Sequence, residues 1–200
     1  MARKQRRRPD HYSKKAKAEG YAARSVYKLE EIQRRFRILK GGARVVDLGC
    51  APGSWSAYAA QICSKKRLVG MDITKLDAYP GTFIHGSILE VPTETIHEAL
   101  GGPADVVLSD MAPYTNGNRF SDHVRQLELA TAAFDTACRL LKPGGSFVVK
   151  VFDGQDAQAY TLGVRKRFTT VKRLKPPATR NQSVEFFLVC TGFKAEAPTP

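Results

Sequence analysis

Arg44-Val45-Val46-Asp47-Leu48-Gly49-Cys50-Ala51-Pro52-Gly53-Ser54-Trp55 decides how the rest of this sequence is read. A short apolar run, a Gly/Pro turn and the start of a helix follow one another, the opening unit of an open α/β sheet. In such sheets a ligand sits in the crevice outside the carboxyl ends of the strands, where glycines let the main chain come close. The turn is not Gly-x-Gly-x-x-Gly, since Gly49 is followed by Cys50, Ala51, Pro52 and Gly53. The fingerprint that admits a pyrophosphate is therefore absent. A carboxylate at the strand end, Asp47, suits a ligand that carries hydroxyl and ammonium donors rather than phosphates.

Working outward, the spacing predicts an amphipathic helix over 22–39, with Val26, Leu29, Ile32, Phe36 and Leu39 on one face and Lys40-Gly41-Gly42 ending it. After a strand at 44–48 and a helix at 54–63, further short apolar runs at 67–72, 82–84, 104–109 and 145–151 read as strands with helical patterns between several of them. A longer helix over 121–141 has Ser121 as its expected N-cap and stops at Lys142-Pro143-Gly144-Gly145. Two last strands, 169–175 and 184–190, have no convincing helix between them and are expected as an antiparallel pair at one edge. The fold class is α/β: a doubly wound, Rossmann-like, mostly parallel seven-stranded sheet with an antiparallel late strand and a basic N-terminal extension.

With 200 residues, 42% of them hydrophobic, the chain can bury one substantial core, and no linker composition divides it. The expected layout is a basic, flexible RNA-binding arm over 1–20, one domain over 21–193 and a tail over 194–200. No run is long enough to span a bilayer and no secretory leader is evident, so a soluble, cytoplasmic protein is expected. Cys50, Cys63, Cys138 and Cys190 form no Cys-x-x-Cys pair and read as reduced core thiols. No metal site is expected. With no unexplained apolar stripe, a monomer is the default.

The net charge of +13 is concentrated at the front: +11 over residues 1–44 and +2 over the remainder. Such an arm releases counterions from phosphates, giving salt-sensitive affinity for nucleic acid that depends little on sequence. A second stretch, 165–180, contains no acid. A charge run alone is as often a solvated tail, and an Arg-rich leader is also a targeting composition. Two basic runs on a chain with a cofactor-like turn favour RNA or DNA, and Asp10 and Glu19 speak against targeting.

On the ligand side, Asp72 ends the second strand, where a carboxylate accepts hydrogen bonds from both hydroxyls of a ribose. Its bland alternative is a turn cap. Asp47 organises the turn's N–H groups or meets an amino-acid moiety through water. Gly49 and Gly53 permit close approach, Trp55 is expected against the ligand's apolar side, and Met71 and Ile73 flank an adenine ring. A ribose, an adenine and a zwitterionic tail without phosphate describe S-adenosylmethionine.

Lys150 interrupts the apolar run 147–152, and Asp110 closes the run 106–109 before Met111-Ala112-Pro113. A charge in a strand that apolar requires a partner or a task. Lys28, within the first amphipathic helix, and Glu185, at the start of the last strand, are ambiguous singly, since surface charges occupy such positions more often.

These residues lie in motifs that resemble the FtsJ/RrmJ family of RNA ribose 2′-O-methyltransferases. The resemblance is carried by Ser25-Val26-Tyr27-Lys28-Leu29-Glu30-Glu31-Ile32, the 46–56 segment quoted above, Leu108-Ser109-Asp110-Met111-Ala112-Pro113, the segment from Pro143 to Phe152, and Ser183-Val184-Glu185. It implies that Lys28, Asp110, Lys150 and Glu185 form the family's Lys-Asp-Lys-Glu tetrad and that Gly53, Trp55, Asp72 and Asp110 face the cofactor. It implies a substrate in large-subunit (23S) ribosomal RNA, a uridine of the A-loop for the bacterial ribosomal branch. Ser87 stands where that branch usually has an aspartate near the adenine, and Tyr114 where an asparagine is common. A 2′-O-methyltransferase of tRNA or an mRNA cap shares every one of these residues. A non-catalytic ribosome-assembly factor would explain the basic arm but not four polar residues at the crevice.

Overall fold

Unbroken runs of Val, Leu and Met make strands buried on both faces, and such strands pair in parallel beneath covering helices. In the computed structural model, which describes residues 11–114, 117–180 and 183–195, β1 (Val45–Leu48), β2 (Leu68–Asp72), β4 (Ala104–Ser109) and the second half of β5 (Leu141–Phe152) are of this kind, while β3 (Thr82–His85) is a partly exposed edge strand. β6 (Phe168–Leu174) and β7 (Glu185–Phe193) complete one seven-stranded sheet of order β3-β2-β1-β4-β5-β7-β6. β1 to β5 are mutually parallel, and β7 runs antiparallel between β5 and β6. The doubly wound sheet with its antiparallel late strand is the expected architecture.

The helices are α1 (His11–Ala18), α2 (Val26–Phe36), α3 (Ser54–Ile62), α4 (Thr93–Leu100), α5 (Arg119–Leu140) and α6 (Ala157–Arg167). One core packs Val46, Val69, Val107, Phe147 and Val149 against Ile96, Leu100 and the small stripe Ala130, Ala133 and Ala137 of α5. The opposite face packs Val45, Leu68, Leu108, Val148 and Phe187 against Leu29, Ile32, Trp55 and Ala59. None of the helices among the described residues is long and apolar enough to cross a membrane. Cys50, Cys63 and Cys190 are buried and Cys138 is partly so, all as free thiols.

Two expectations are corrected, and α1 adds an element that the sequence reading did not foresee. Helix α2 stops at Phe36, because Arg37 adopts φ 50° and donates its N–H to Gln33 O. α5 is capped by Asn118, whose side chain accepts from Ser121 N–H, so Ser121 lies inside the helix. Of the arm expected to be flexible over 1–20, residues 1–10 lie outside the described residues, but 11–18 form α1. Its Ala16 packs with Val26, Tyr27 and Ala178, and Glu19 just beyond it accepts the Tyr27 hydroxyl at 2.8 Å. Most of the tail, residues 196–200, also lies outside the described residues.

Candidate active site

The carboxyl ends of β1, β2 and β4 open into a cavity of about 370 Å³, within the range of small-molecule sites. Gly49 forms its floor at φ 73°, and a Cβ there would meet Met111 Cγ at 2.2 Å. Only glycine allows that approach. Asp72, at the end of β2, accepts N–H bonds from Ala51 at 2.8 Å and Thr74 at 2.7 Å. Each of its oxygens keeps a lone pair for the cavity, so the cap and ligand roles coexist. Met71, Ile73, Ile88 and Leu129 supply apolar walls, and Ser87 and Asp110 complete the polar lining.

Of the seven residues expected to hold a cofactor, Gly49, Asp72, Ser87 and Asp110 line this cavity. Gly53, φ 97°, turns the chain into α3 and has open space where a Cβ would stand. Trp55 does not face the cavity: it is buried in the other core, its Nε1 donates to Ser25 O at 2.8 Å, and its ring packs on Phe187. It ties α3 to the start of α2 instead. Asp47 is fully buried beneath the turn, where it accepts the Ser56 hydroxyl at 2.5 Å, and that oxygen also meets Tyr79 OH at 2.8 Å. Desolvation, with Asp110 and Asp72 nearby, pushes its carboxyl up to about 7.

Lys28, Asp110, Lys150 and Glu185, far apart in sequence, come together in one chain of contacts. Lys28 Nζ lies 2.5 Å from Glu185 Oε1 and 3.9 Å from Asp110 Oδ1. Lys150 Nζ lies 3.0 Å from the same Asp110 Oδ1 and donates to the Asp110 carbonyl at 2.5 Å. All four are largely buried, and their formal charges cancel. Burial alone would raise the Glu185 carboxyl, but the adjoining Lys28 ammonium outweighs it and holds it below its ordinary range. Beyond the two lysine ion pairs, Asp110 Oδ1 takes no hydrogen bond, and the atom itself is buried. A second cavity of about 440 Å³ adjoins on the other side, with Arg24, Lys28, Arg180 and Glu185 among its lining.

Two participants were not foreseen from sequence. Leu129 reaches the cavity from α5, and the buried amide of Gln126 bonds the main chain on both sides of Val151. The signal for the latter is a glutamine that continues the helix stripe otherwise made of Ala130, Ala133 and Ala137.

A parallel sheet of this order, with an apolar-walled cavity at its switch point and a neutral quartet of charges beside it, defines a Rossmann-like domain of the methyltransferase class. The chain belongs to the FtsJ-like methyltransferase family, which matches residues 21–193. It is 46% identical over 200 residues to the ribosomal RNA large subunit methyltransferase E of Desulfosudis oleivorans, covering 98% of this chain and 95% of that one. It is 49% identical over 191 residues to the protein of the same name from Oleidesulfovibrio alaskensis, covering 92% of each. A solved structure of a candidate ribosomal RNA methyltransferase from Plasmodium falciparum superimposes with a TM-score of 0.76 at 27% identity, over 88% of this chain and all of that one. The protein is an enzyme, a methyltransferase.

Proposed function

We propose that this enzyme transfers a methyl group from S-adenosylmethionine to a ribose 2′-hydroxyl of RNA, a uridine of large-subunit ribosomal RNA being the target. The single observation that carries this reading is the position of the quartet. Asp110 belongs to the lining of the apolar cavity, and Lys28 and Glu185 belong to the lining of the basic one. The names of the relatives favour large-subunit RNA over tRNA or a cap, and we place the enzyme in the cytoplasm as a monomer.

The residues of the first cavity fit the cofactor without a phosphate site. Asp72 would accept the ribose hydroxyls, Met71, Ile73 and Ile88 would enclose the adenine, and Gly49 would let the main chain approach. Ser87, whose hydroxyl already accepts from Leu89 N–H at 3.2 Å, would border the base. When bound, S-adenosylmethionine supplies an electrophilic methyl carbon on a sulfonium.

In-line displacement is governed by alignment, and a group that fixes the attacking oxygen contributes most. Lys150 is such a group. As an amine it can keep its hydrogen bond to the Asp110 carbonyl while its lone pair faces the ribose hydroxyl and takes its proton. As an ammonium it presents the third N–H and steers the oxygen. Asp110 orients the nitrogen in either form, while the Lys28–Glu185 pair borders the ribose.

The test is tritiated S-adenosylmethionine with undermethylated large subunits, free ribosomal RNA and tRNA, followed by mapping of the modified ribose by primer extension at low nucleotide concentration. Label confined to a uridine ribose of large-subunit RNA is expected. Label only in tRNA, or in no RNA at all, overturns the reading.

A further inference from the structure

Strand β5 carries Lys150, and its two edges are held differently. Along β7 the ladder continues through Lys150↔Phe187 and Val151↔Phe186 to Phe152↔Glu185. Along β4 it ends at Ser109↔Val149, and the two strands part where the crevice begins. Main-chain groups buried at such a parting need partners, since each one left unpaired is costly. The Lys150 carbonyl and the Phe152 N–H are closed by a single side chain. Gln126 Nε2 donates to Lys150 O at 2.6 Å, and Phe152 N–H donates to Gln126 Oε1 at 2.9 Å. One amide thus supplies the donor and acceptor that a neighbouring strand would have offered. The other loose end, the Asp110 carbonyl just past β4, is taken by Lys150 Nζ.

The placement is deliberate in physical terms. Gln126 is 1% exposed, and the alanine stripe behind it on α5 lets that helix sit close enough to the sheet for a five-atom side chain to reach the strand. It belongs to the lining of neither cavity. Its bonds fall on the residue that bears the reacting amine and on the residue two further on.

We propose that Gln126 is a positioning residue for Lys150: its amide replaces the missing strand where β4 and β5 diverge and so fixes the lysine main chain during methyl transfer. This rests on the role given to Lys150 above. A nitrogen whose main chain shifts by a fraction of an ångström no longer holds the ribose oxygen in line, so turnover falls without a loss of binding.

The experiment uses the full-length chain with Gln126→Met, which matches the length but offers neither bond, and Gln126→Glu, which keeps the acceptor for Phe152 N–H and loses the donor to Lys150 O. Turnover is expressed per folded molecule, titrated by S-adenosylmethionine binding in a calorimeter. For both variants kcat is expected to fall about tenfold or more, with KM for RNA and the cofactor Kd within about twofold of the parent. The pH profile of kcat is expected to change shape, because the Lys150–Asp110 contact is no longer fixed. If Met disrupts folding, Glu alone decides. Unchanged kcat and pH profile in a variant with a lowered Tm would show that the closure only stabilises the fold, and a cofactor Kd that worsens in step with kcat would place the effect in the first cavity. Either result overturns the proposal. The parent protein in the same assay reports on methyl transfer separately.

Discussion

The two cavities that meet at the Lys28–Asp110–Lys150–Glu185 quartet are built from opposite materials. The first is walled by Met71, Ile73, Ile88 and Leu129 and carries few polar groups, of which Asp72 and Ser87 are held by main-chain N–H groups. The second is lined by guanidinium, ammonium and carboxylate groups, with Ala178 as an apolar member. A mostly apolar site with fixed polar points selects one small molecule by shape. A basic site neutralises phosphates and tolerates many sequences. On the function proposed above, cofactor and nucleic acid make different demands, and the quartet stands at the border to serve both.

The sharpest way to break this division is at the border. Lys150→Ala is expected to lower kcat by about 100-fold or more while both ligands still bind, since a positioned proton acceptor contributes on that order. Single-turnover methyl transfer beside calorimetric cofactor binding checks it. On the apolar side, Asp72→Ala removes a charged acceptor and should weaken S-adenosylmethionine by about 10- to 100-fold. RNA affinity, measured by filter binding, should stay as it was.

Beneath the same cavity lies Asp47, with a carboxyl raised by burial to about 7 against about 3.9 in an unfolded chain. Between those values the folded protein holds a proton that the unfolded chain lacks. The stability this provides is present at low pH and lost as pH rises toward 7. Asp47→Asn keeps an acceptor for Ser56 and removes the titration. Denaturation between pH 5 and 8 should show a decline of about 2 to 3 kcal/mol in the parent that the variant lacks. The smallest effect is expected on the basic side, where Arg180→Glu raises KM for RNA several-fold. It also lowers the salt slope of binding by at least about one, while the cofactor Kd does not move.

Most strands were legible because they are short runs of β-branched and apolar residues between turn signals, and β4 was placed to the residue, whereas β5 starts at Leu141, four residues before the apolar run that announced it. Lys150 and Asp110 were legible as charges in otherwise apolar runs, and the structure joins them at 3.0 Å. Trp55 misleads because a tryptophan after a glycine turn reads alike whichever core receives it. Only the Nε1 bond to Ser25 O, from a segment thirty residues upstream, decides its direction. Asn118 and Ser121 are equally good caps by chemistry, and the fold chooses by geometry. α1 is hidden because its sequence is short, polar and lysine-rich, and its stability comes from docking Ala16 against residues remote in the chain. Gln126 leaves a trace, a polar residue in an alanine stripe, but its task depends on where β4 and β5 separate, which no local pattern encodes.

The threading of β7 between β5 and β6 has a consequence for biogenesis. The lining of the first cavity runs from Gly49 to Leu129, so a ribosome has translated all of it well before the last strand emerges. Glu185 arrives at the start of β7, which must wedge into a slot between two strands made earlier. Such a late, long-range pairing is slow to form. A nascent polypeptide therefore gains the parts of its small-molecule pocket first, and chemical competence waits for the final insertion.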